Sequence, residues 1–330
     1  MHKEFLMGNA AIALGAIAAG VNVVAGYPGT PSTEVLETIA KHRPDDVYVE
    51  WSVNEKAAME LAAGASYAGA RSMVTMKQVG LNVASDPLMS LEYVGIKGGM
   101  VILVADDPGP ISSQTEQDTR HFSRFSKLPC FDPSSAHEAY EMIQEAFEYS
   151  EKYGTPVFLR PTTRVCHGYA SIMVKDETEY THHQPEGFIK DSKRWVIFPR
   201  LSFMNHKKIE ARNQELSDIF SSYEKNTIHP SCDAFKDSKK GIATGGISYT
   251  YTMETLKKTG MVKTLKIATP HPFPEKLAVD FLSGLDEVLC LEELDPVIER
   301  ELIYICGKYH LPTRINGKLS GHTACAGENT

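Results

Sequence analysis

Between Val47 and Asn82 the chain reads VYVEWSVNEKAAMELAAGASYAGARSMVTMKQVGLN: a short apolar strand, a polar turn, a helix, a second strand and a glycine-containing loop. The strands are predicted at Val47–Glu50 and Ser72–Met76. Ser52, Val53 and Asn54 offer a cap, and the Ala, Met, Glu and Leu content from Glu55 onward is that of a helix. Gly64, Ala65, Ala68 and Gly69 are small enough for another backbone to approach closely. Glu55 stands where strand gives way to helix, which in an open α/β sheet is the rim where ligands bind. On spacing alone, it serves equally well as a first-turn carboxylate that complements the helix dipole.

The surrounding chain repeats this alternation. Further strands are predicted at Asn22–Ala25, Met100–Ala105 and Pro156–Arg160, and helices at Gly8–Ala19, Ser32–His42, Glu55–Ala70, Leu88–Ile96 and His137–Tyr153. The strands are apolar throughout, as central strands of a parallel sheet covered on both faces must be. This first unit is read as 1–172. Asp176–Gly187 (DETEYTHHQPEG) is polar and patternless, a linker whose His182-His183 pair lacks carboxylate or cysteine neighbours at ligand spacing. Phe203–Tyr223 has the charge and periodicity of an exposed helical arm, with packing on the first unit left open, so 173–238 is read as linker and arm. A smaller α/β unit over 239–320 has strands at Gly241–Thr244, Leu265–Ala268 and Glu287–Glu292 and helices at Ser248–Thr259 and Asp295–Tyr309. Thr244-Gly245-Gly246 begins a helix, where an anion can sit; a tight strand-to-helix turn accounts for it as well. Residues 321–330 read as a polar tail.

A chain of 330 residues allows about two domains of ordinary size. At 42% hydrophobic and 23% charged it has the composition of a globular protein, neither disordered nor membrane-spanning. The net charge of −8 argues against nucleic acid or an anionic membrane as partner. Cys130, Cys166, Cys232, Cys290, Cys306 and Cys325 form no C-x-x-C pair, so zinc or cluster ligation is not expected and reduced thiols are. The apolar run Ala10–Ala25 is interrupted by Asn22, falls short of the roughly 20 residues of a membrane span, and has neither a basic leader nor a cleavage site. A cytoplasmic protein is expected. No G-x-G-x-x-G follows the first strand, which disfavours a dinucleotide-binding Rossmann unit.

Four stretches carry a more specific signal: GYPGTPSTE at Gly26–Glu34, EWSVNEKAAMELAAGASYAGAR at Glu50–Arg71, MKQVGLN at Met76–Asn82 and DDPGPISSQTEQDTR at Asp106–Arg120. The second resembles the pyrimidine-binding domain of thiamine-diphosphate enzymes. Together they resemble the large (alpha) subunits of indolepyruvate ferredoxin oxidoreductases, within the 2-oxoacid:ferredoxin oxidoreductases. The resemblance covers most of the chain and is poorest over about Lys175–Lys240. It implies a pyrimidine-binding-type parallel-sheet domain of the thiamine-diphosphate-binding fold, followed by a transketolase C-terminal-like α/β domain. It implies part of an oxidative decarboxylase that converts arylpyruvates such as indolepyruvate, with coenzyme A, to aryl-acetyl-CoA and CO2, with ferredoxin as electron acceptor. The cofactor implied is thiamine diphosphate; Mg2+ and iron–sulfur clusters are expected in the complex but without ligands from this chain. The partners implied are a small (beta) subunit, a diphosphate-binding module or chain, ferredoxin, and further copies of this chain in a homo-oligomer. The GDG…N motif expected of the diphosphate-binding module does not occur in the 330 residues. The chain is therefore expected to supply a half-site, whether as a split subunit or a fragment. The alternatives are an assembly or regulatory module with a vestigial thiamine site, and a subunit of another 2-oxoacid:ferredoxin oxidoreductase.

The resemblance gives Glu55 the catalytic position, against the cofactor's aminopyrimidine ring. Gly29, Thr30, Gly80 and Asn82 are the other cofactor-side candidates, with no metal ligand assigned. Thr30, Lys77, Ser113, Gln114 and Arg120 are candidates for the substrate. Pro28 and Pro31 stiffen the loop around Gly29 and Thr30. Lys77, Gly80 and Asn82 are read as lying in a loop after the Ser72–Met76 strand. Asp106–Arg120 is long, polar and proline-containing, as active-site loops are. Pyruvate-type enzymes carry a carboxylate-binding arginine after this strand. Asp106-Asp107 stands there instead, and Arg120 is the expected substitute. Ser112 and Gln117 are further polar contacts of this loop.

Overall fold

Met100–Ala105 (MVILVA) is buried at every residue, a pattern met by strands with neighbours on both sides and helices over both faces. The rest of the chain is arranged around it. The computed structural model describes residues 1–329. In chain order the elements are β1 (His2–Met7), α1 (Gly8–Ala18), β2 (Val23–Gly26), α2 (Thr33–His42), β3 (Tyr48–Trp51), α3 (Glu55–Tyr67), β4 (Ser72–Lys77), α4 (Gln78–Val94) and β5 (Met100–Ala105). There follow α5 (Thr119–Ser126), β6 (Cys130–Phe131), α6 (Ala136–Tyr153), β7 (Val157–Leu159), α7 (Thr163–His167), β8 (Tyr169–Val174), α8 (Ser192–Trp195), α9 (Pro199–Phe220) and β9 (Thr227–His229). Then come β10 (Lys240–Gly245), α10 (Gly246–Thr259), β11 (Lys263–Ile267), α11 (Glu275–Leu282), β12 (Glu287–Leu291), α12 (Val297–Tyr309) and β13 (Arg314–Asn316).

The parallel α/β architecture expected from the alternation is present. A six-stranded sheet in the order β3-β2-β4-β5-β7-β6 is parallel throughout. A second sheet, β13-β12-β10-β11-β9, is parallel except at its β9 edge. β1 and β8 form a separate antiparallel ribbon. Small residues in α1 let it lie close to its neighbours: a Cβ on Gly8 would fall 1.8 Å from the Val165 carbonyl oxygen, and one on Gly15 2.5 Å from Ile143.

Several expectations need correcting. The helix expected at Leu88–Ile96 begins at Gln78, directly after β4, so Gly80 and Asn82 lie in its first turns and not in a loop. Gly80 and Pro87 suggested interruption, yet Pro87 sits inside the helix. The carbonyl left without a donor there is that of Val83, a residue on the exposed side. Gly64 faces open space, whereas Gly69 (φ +85°) ends α3 and has the Glu186 amide nitrogen 3.2 Å from where a Cβ would stand. That contact places the polar stretch after β8 against the first sheet's helices: Thr181 N–H donates to Ala18, Gly187 N–H to Ala68, and a His183 ring nitrogen bonds the Gly69 carbonyl. The helical arm is α9. It packs on the first unit, as that reading allowed, with Leu216 and Phe220 beside Phe131 and Tyr223 in the first core. The tail is not free either. Gly327, Glu328 and Asn329 bond to Glu116, Arg164, Glu293 and Ser248.

The two sheets are joined across the β6 edge. Cys130 N–H donates to the His271 carbonyl (2.7 Å) and Asp132 N–H to the Ala268 carbonyl (2.8 Å). Beneath this seam lies a buried ion cluster. Arg160 donates to Asp106 (2.6 Å) and Asp132 (3.2 Å). Arg120 donates to both Asp118 oxygens and to Glu292 (2.8 Å). Glu292 also accepts from the amides of Val297, Ile298 and Glu299 at the start of α12, where a carboxylate complements the helix dipole. At α10 the Asp132 carboxylate stands close to the helix start, 3.3 Å from where a Cβ on Gly246 would be. The anion facing the Thr244-Gly245-Gly246 turn is thus the chain's own.

Two guanidiniums here meet four carboxylates, and burial decides the protonation. It pushes Asp106 up to about 6 and raises Asp132 and Glu292, against the pull of the arginines. Burial also acts on Asp118, but Arg120 and Arg160 outweigh it and hold that carboxyl below the usual range. A carboxyl raised in the fold stabilises below its unfolded value, and that stability is lost as pH rises through the folded value. Arg160→Leu leaves Asp106 and Asp132 without their cation and is expected to cost about 3–5 kcal/mol. Urea unfolding should find a larger loss at pH 8 than at pH 5.5, where the orphaned carboxyls can protonate; an equal loss would contradict the cluster's excess of acid.

Candidate functional site

β2 and β3 end level, with Gly26 paired to Trp51, while β4 pairs its Thr75 with Gly26 on the other side and runs on to Lys77. The chain leaves the sheet here through Tyr27–Ser32, Ser52–Asn54 and Lys77, and through Asp106–Asp118 from neighbouring β5. Asn54 caps α3, its side-chain oxygen accepting from Ala57 N–H (2.9 Å). That cap places Glu55 in the first helical position, facing the rim. A cavity of about 570 Å³ opens there, lined by Tyr27, Pro28, Glu55, Lys77, Val79, Gly80, Asn82, Val83, Gln114 and Thr115.

Glu55 lies flat against Gly80. A Cβ on Gly80 would stand 2.4 Å from Glu55 Oε1 and 2.7 Å from its Cγ, so only glycine allows this carboxylate its place. Among the described residues the carboxylate has neither a cation nor a hydrogen-bond donor, and it is the only acid lining the cavity. Lys77 is the only cation among the described lining residues. Its stem passes 3.0 Å from where a Cβ on Gly29 would be, and its ammonium donates to Gln114 Oε1 (3.2 Å). Asn82 and Gln117 bond reciprocally at 3.0 and 3.4 Å. Buried Gln78 donates to the Thr115 carbonyl (3.2 Å) and accepts from Ser113 Oγ (3.5 Å). Tyr27 and Val83 give the cavity an exposed apolar wall, and Trp51, Val53 and Ile111 stand exposed on neighbouring segments.

Of the candidates from sequence, Glu55, Lys77, Gly80, Asn82 and Gln114 line this cavity. Gly29 and Thr30 lie beside it. Gly29 N–H donates to Thr33 (2.9 Å), and the exposed Thr30 receives Ser112 Oγ on its carbonyl (3.3 Å). Ser113 faces Gln78 behind the wall. Arg120 is elsewhere, and this corrects the expectation of a substrate clamp. Its side chain is 2% exposed and its guanidinium is held by Asp118, Glu292 and the Glu293 and Asp295 carbonyls. Asp106 and Asp107 are likewise structural. Asp107 accepts from Ser112 N–H (2.8 Å) and Thr163 Oγ1 (2.8 Å). Tyr27, Val79, Val83 and Gln78 were not singled out in the sequence, although each lies inside or beside a motif that was. Asp118, His121 and Asp295 bring ligand atoms within 4.8 Å of one another, but Arg120 already engages both Asp118 oxygens, which unsuits them for a metal.

Residues 14–229 match the model of the pyruvate flavodoxin/ferredoxin oxidoreductase family, thiamine-diphosphate-binding domain. An indolepyruvate oxidoreductase subunit IorA of Methanothermobacter thermautotrophicus is 43% identical over 324 residues, covering 97% of this chain and 51% of the relative. The chain spans about half the length of the curated relatives it matches most strongly. In fold it is similar to a 2-oxoglutarate:ferredoxin oxidoreductase from Magnetococcus marinus solved with 2-oxoglutarate, coenzyme A and succinyl-CoA bound. The TM-score is 0.75 at 18% identity, with 96% of this chain and 62% of that one covered. It is also similar to a split-gene transketolase, an inactive beta4 tetramer, with a TM-score of 0.60 at 15% identity over 94% and 87% of the two chains. Both likenesses extend over the two sheets and support the expected pairing of a thiamine-type unit with a transketolase-like one.

The Gly80 contact is open to test. Gly80→Ala is expected to keep the fold, since Ala is the better helix former by about 0.5–1 kcal/mol, and to displace the Glu55 carboxylate. A crystal structure of the variant checks this; Glu55 unmoved over residue 80 is the contrary result.

Proposed function

The chain belongs to the pyruvate flavodoxin/ferredoxin oxidoreductase family, in its thiamine-diphosphate-binding part, and from that premise we propose that it supplies the pyrimidine-side half of a thiamine-diphosphate site in an indolepyruvate-type oxidoreductase. The observation that carries the reading is Glu55, a carboxylate without a cation partner among the described residues, laid across Gly80 at the mouth of a cavity. The residues fit an aminopyrimidine: a carboxylate for a ring nitrogen, a glycine surface that a Cβ would fill, and Tyr27, Val79 and Val83 as apolar walls.

Glu55 would hold the aminopyrimidine by sharing a proton with its ring nitrogen N1′, an exchange favoured when the surroundings exclude water from the carboxylate. Thiamine diphosphate, when bound, supplies the carbanion chemistry by which a 2-oxoacid loses CO2. Lys77 is the group in the cavity able to pair with a substrate carboxylate, while Gln114 holds its ammonium in place. Asn82 and Gln117 fix the loop above α4. Mg2+ would take its ligands from a separate diphosphate-binding module, and iron–sulfur clusters and ferredoxin would serve the assembled complex with its small subunit. Arylpyruvate with coenzyme A as reactants, a cytoplasmic setting and a homo-oligomer complete the proposal.

Calorimetry with thiamine diphosphate and Mg2+ tests it, on the chain alone and then with its diphosphate-module and small-subunit partners. Binding is expected in the complex, and Glu55→Gln should lower arylpyruvate-dependent ferredoxin reduction by roughly 10²–10⁴-fold while leaving the melting temperature unchanged. Absence of binding in every combination would leave an assembly module.

A further inference from the structure

The loop that roofs the cavity is held from two sides. From within, Gln114 bonds Lys77, Thr115 receives Gln78, and Gln117 pairs with Asn82. Glu116, in the same run, finds its partner on a different segment. Its Oε1 accepts from Gly327 N–H at 2.9 Å, 211 residues further along the chain. The loop's Gly109 meets the same segment: a Cβ there would stand 3.4 Å from Gly327 Cα and 3.6 Å from Glu328 N.

Residues 327–329 are themselves fixed by three other elements. Glu328 is clasped by Arg164 of α7 through Nε (3.0 Å) and Nη2 (2.5 Å), the two-pronged geometry that best orders an arginine pair. Asn329 N–H donates to Glu293 Oε1 after β12 (3.0 Å), and its side chain donates to Ser248 Oγ of α10 (2.8 Å). The approach is anchored as well, with Leu319 N–H on Glu299 and Lys318 on the Ala324 carbonyl. A loop of exposed polar residues has little apolar burial to order it. Here the order comes from a strap rooted in the second sheet.

We propose that Gly327–Asn329 is a strap that holds the 113–117 loop over the Glu55 cavity, with Glu116 as its positioning residue. The proposal rests on the half-site reading for its consequence, ligand affinity, but not for its mechanical content. By fixing Glu116, the strap sets where Gln114 and Thr115 stand, and so how Lys77 is presented to the cavity.

Backbone ¹⁵N relaxation of the chain and ligand calorimetry of the assembled complex separate the two. Wild-type order parameters over 113–117 should resemble the rigid value of about 0.85 and fall below about 0.6 in Glu116→Ala and in Glu328→Ala. Values in β5 should stay unchanged. Glu116→Gln keeps an acceptor for Gly327 N–H and should behave as wild type. In the complex, Glu116→Ala should weaken thiamine diphosphate binding at least about tenfold, and Glu116→Gln should restore it. Unchanged order parameters in both alanine variants would overturn the strap, as would a loss of order shared equally by β5. A loosened loop with wild-type cofactor affinity would overturn the positioning role. If the wild-type complex binds no thiamine diphosphate, the half-site reading fails and the relaxation result still decides the strap.

Discussion

The long loop at the rim depends on a cluster of ions buried at its feet. Arg160, at the end of β7, draws Asp106 and Asp132 together, and Arg120 does the same for Asp118 and Glu292. Such a cluster is costly to desolvate and is held because its members satisfy one another. Its geometry has a direct consequence for the rim. Asp106 begins the long polar loop after β5 and Asp118 ends it, so both feet of the loop stand in the same buried network. The loop can carry Ser112–Gln117 over the cavity without a hydrophobic core of its own because both its ends are held in that network.

The same cluster shows why part of the structure could not be read from local sequence. Apolar strands declare themselves, and β5 was expected with its observed bounds. Glu55 was legible too, since the strand-to-helix junction is a local pattern and Asn54 is a strong cap. Arg120 was not. In a polar stretch with Asp118 beside it, it reads as an exposed group free to bind a substrate. Its burial is created by Glu292 and the Asp295 carbonyl, more than 170 residues away. The loop reading of Gly80 failed for a related reason. Glycine at the start of a helix usually signals a break, but here it is set by the space Glu55 occupies from another helix. The β1–β8 ribbon and two-residue β6 were missed because pairing across such distances leaves no periodicity to detect.

What the site lacks is as informative as what it holds. Among the described residues its lining carries one carboxylate and one ammonium, Glu55 and Lys77, and these balance in charge. A diphosphate bears several negative charges and is normally met by cations, a metal ion or a row of backbone amides. Glu55 beside it would be repelled. In the half-site reading Glu55 and Gly80 would hold the ring, and the diphosphate's charge would be met by groups outside this lining.

The exposed apolar residues around the rim fit that orientation. Tyr27, Trp51, Val53, Val83 and Ile111 lie exposed on the segments that surround or adjoin Glu55, a concentration of the kind that marks a surface covered by a partner. A module seated on them would exclude water from the Glu55 carboxylate and strengthen its interaction with a ring nitrogen, because electrostatic attraction grows as the local dielectric falls. The strap that fixes Glu116 then has a clear physical purpose. A roof contacted by a second module binds more tightly if its conformation is settled in advance, since the entropy of ordering the loop has been met within the chain.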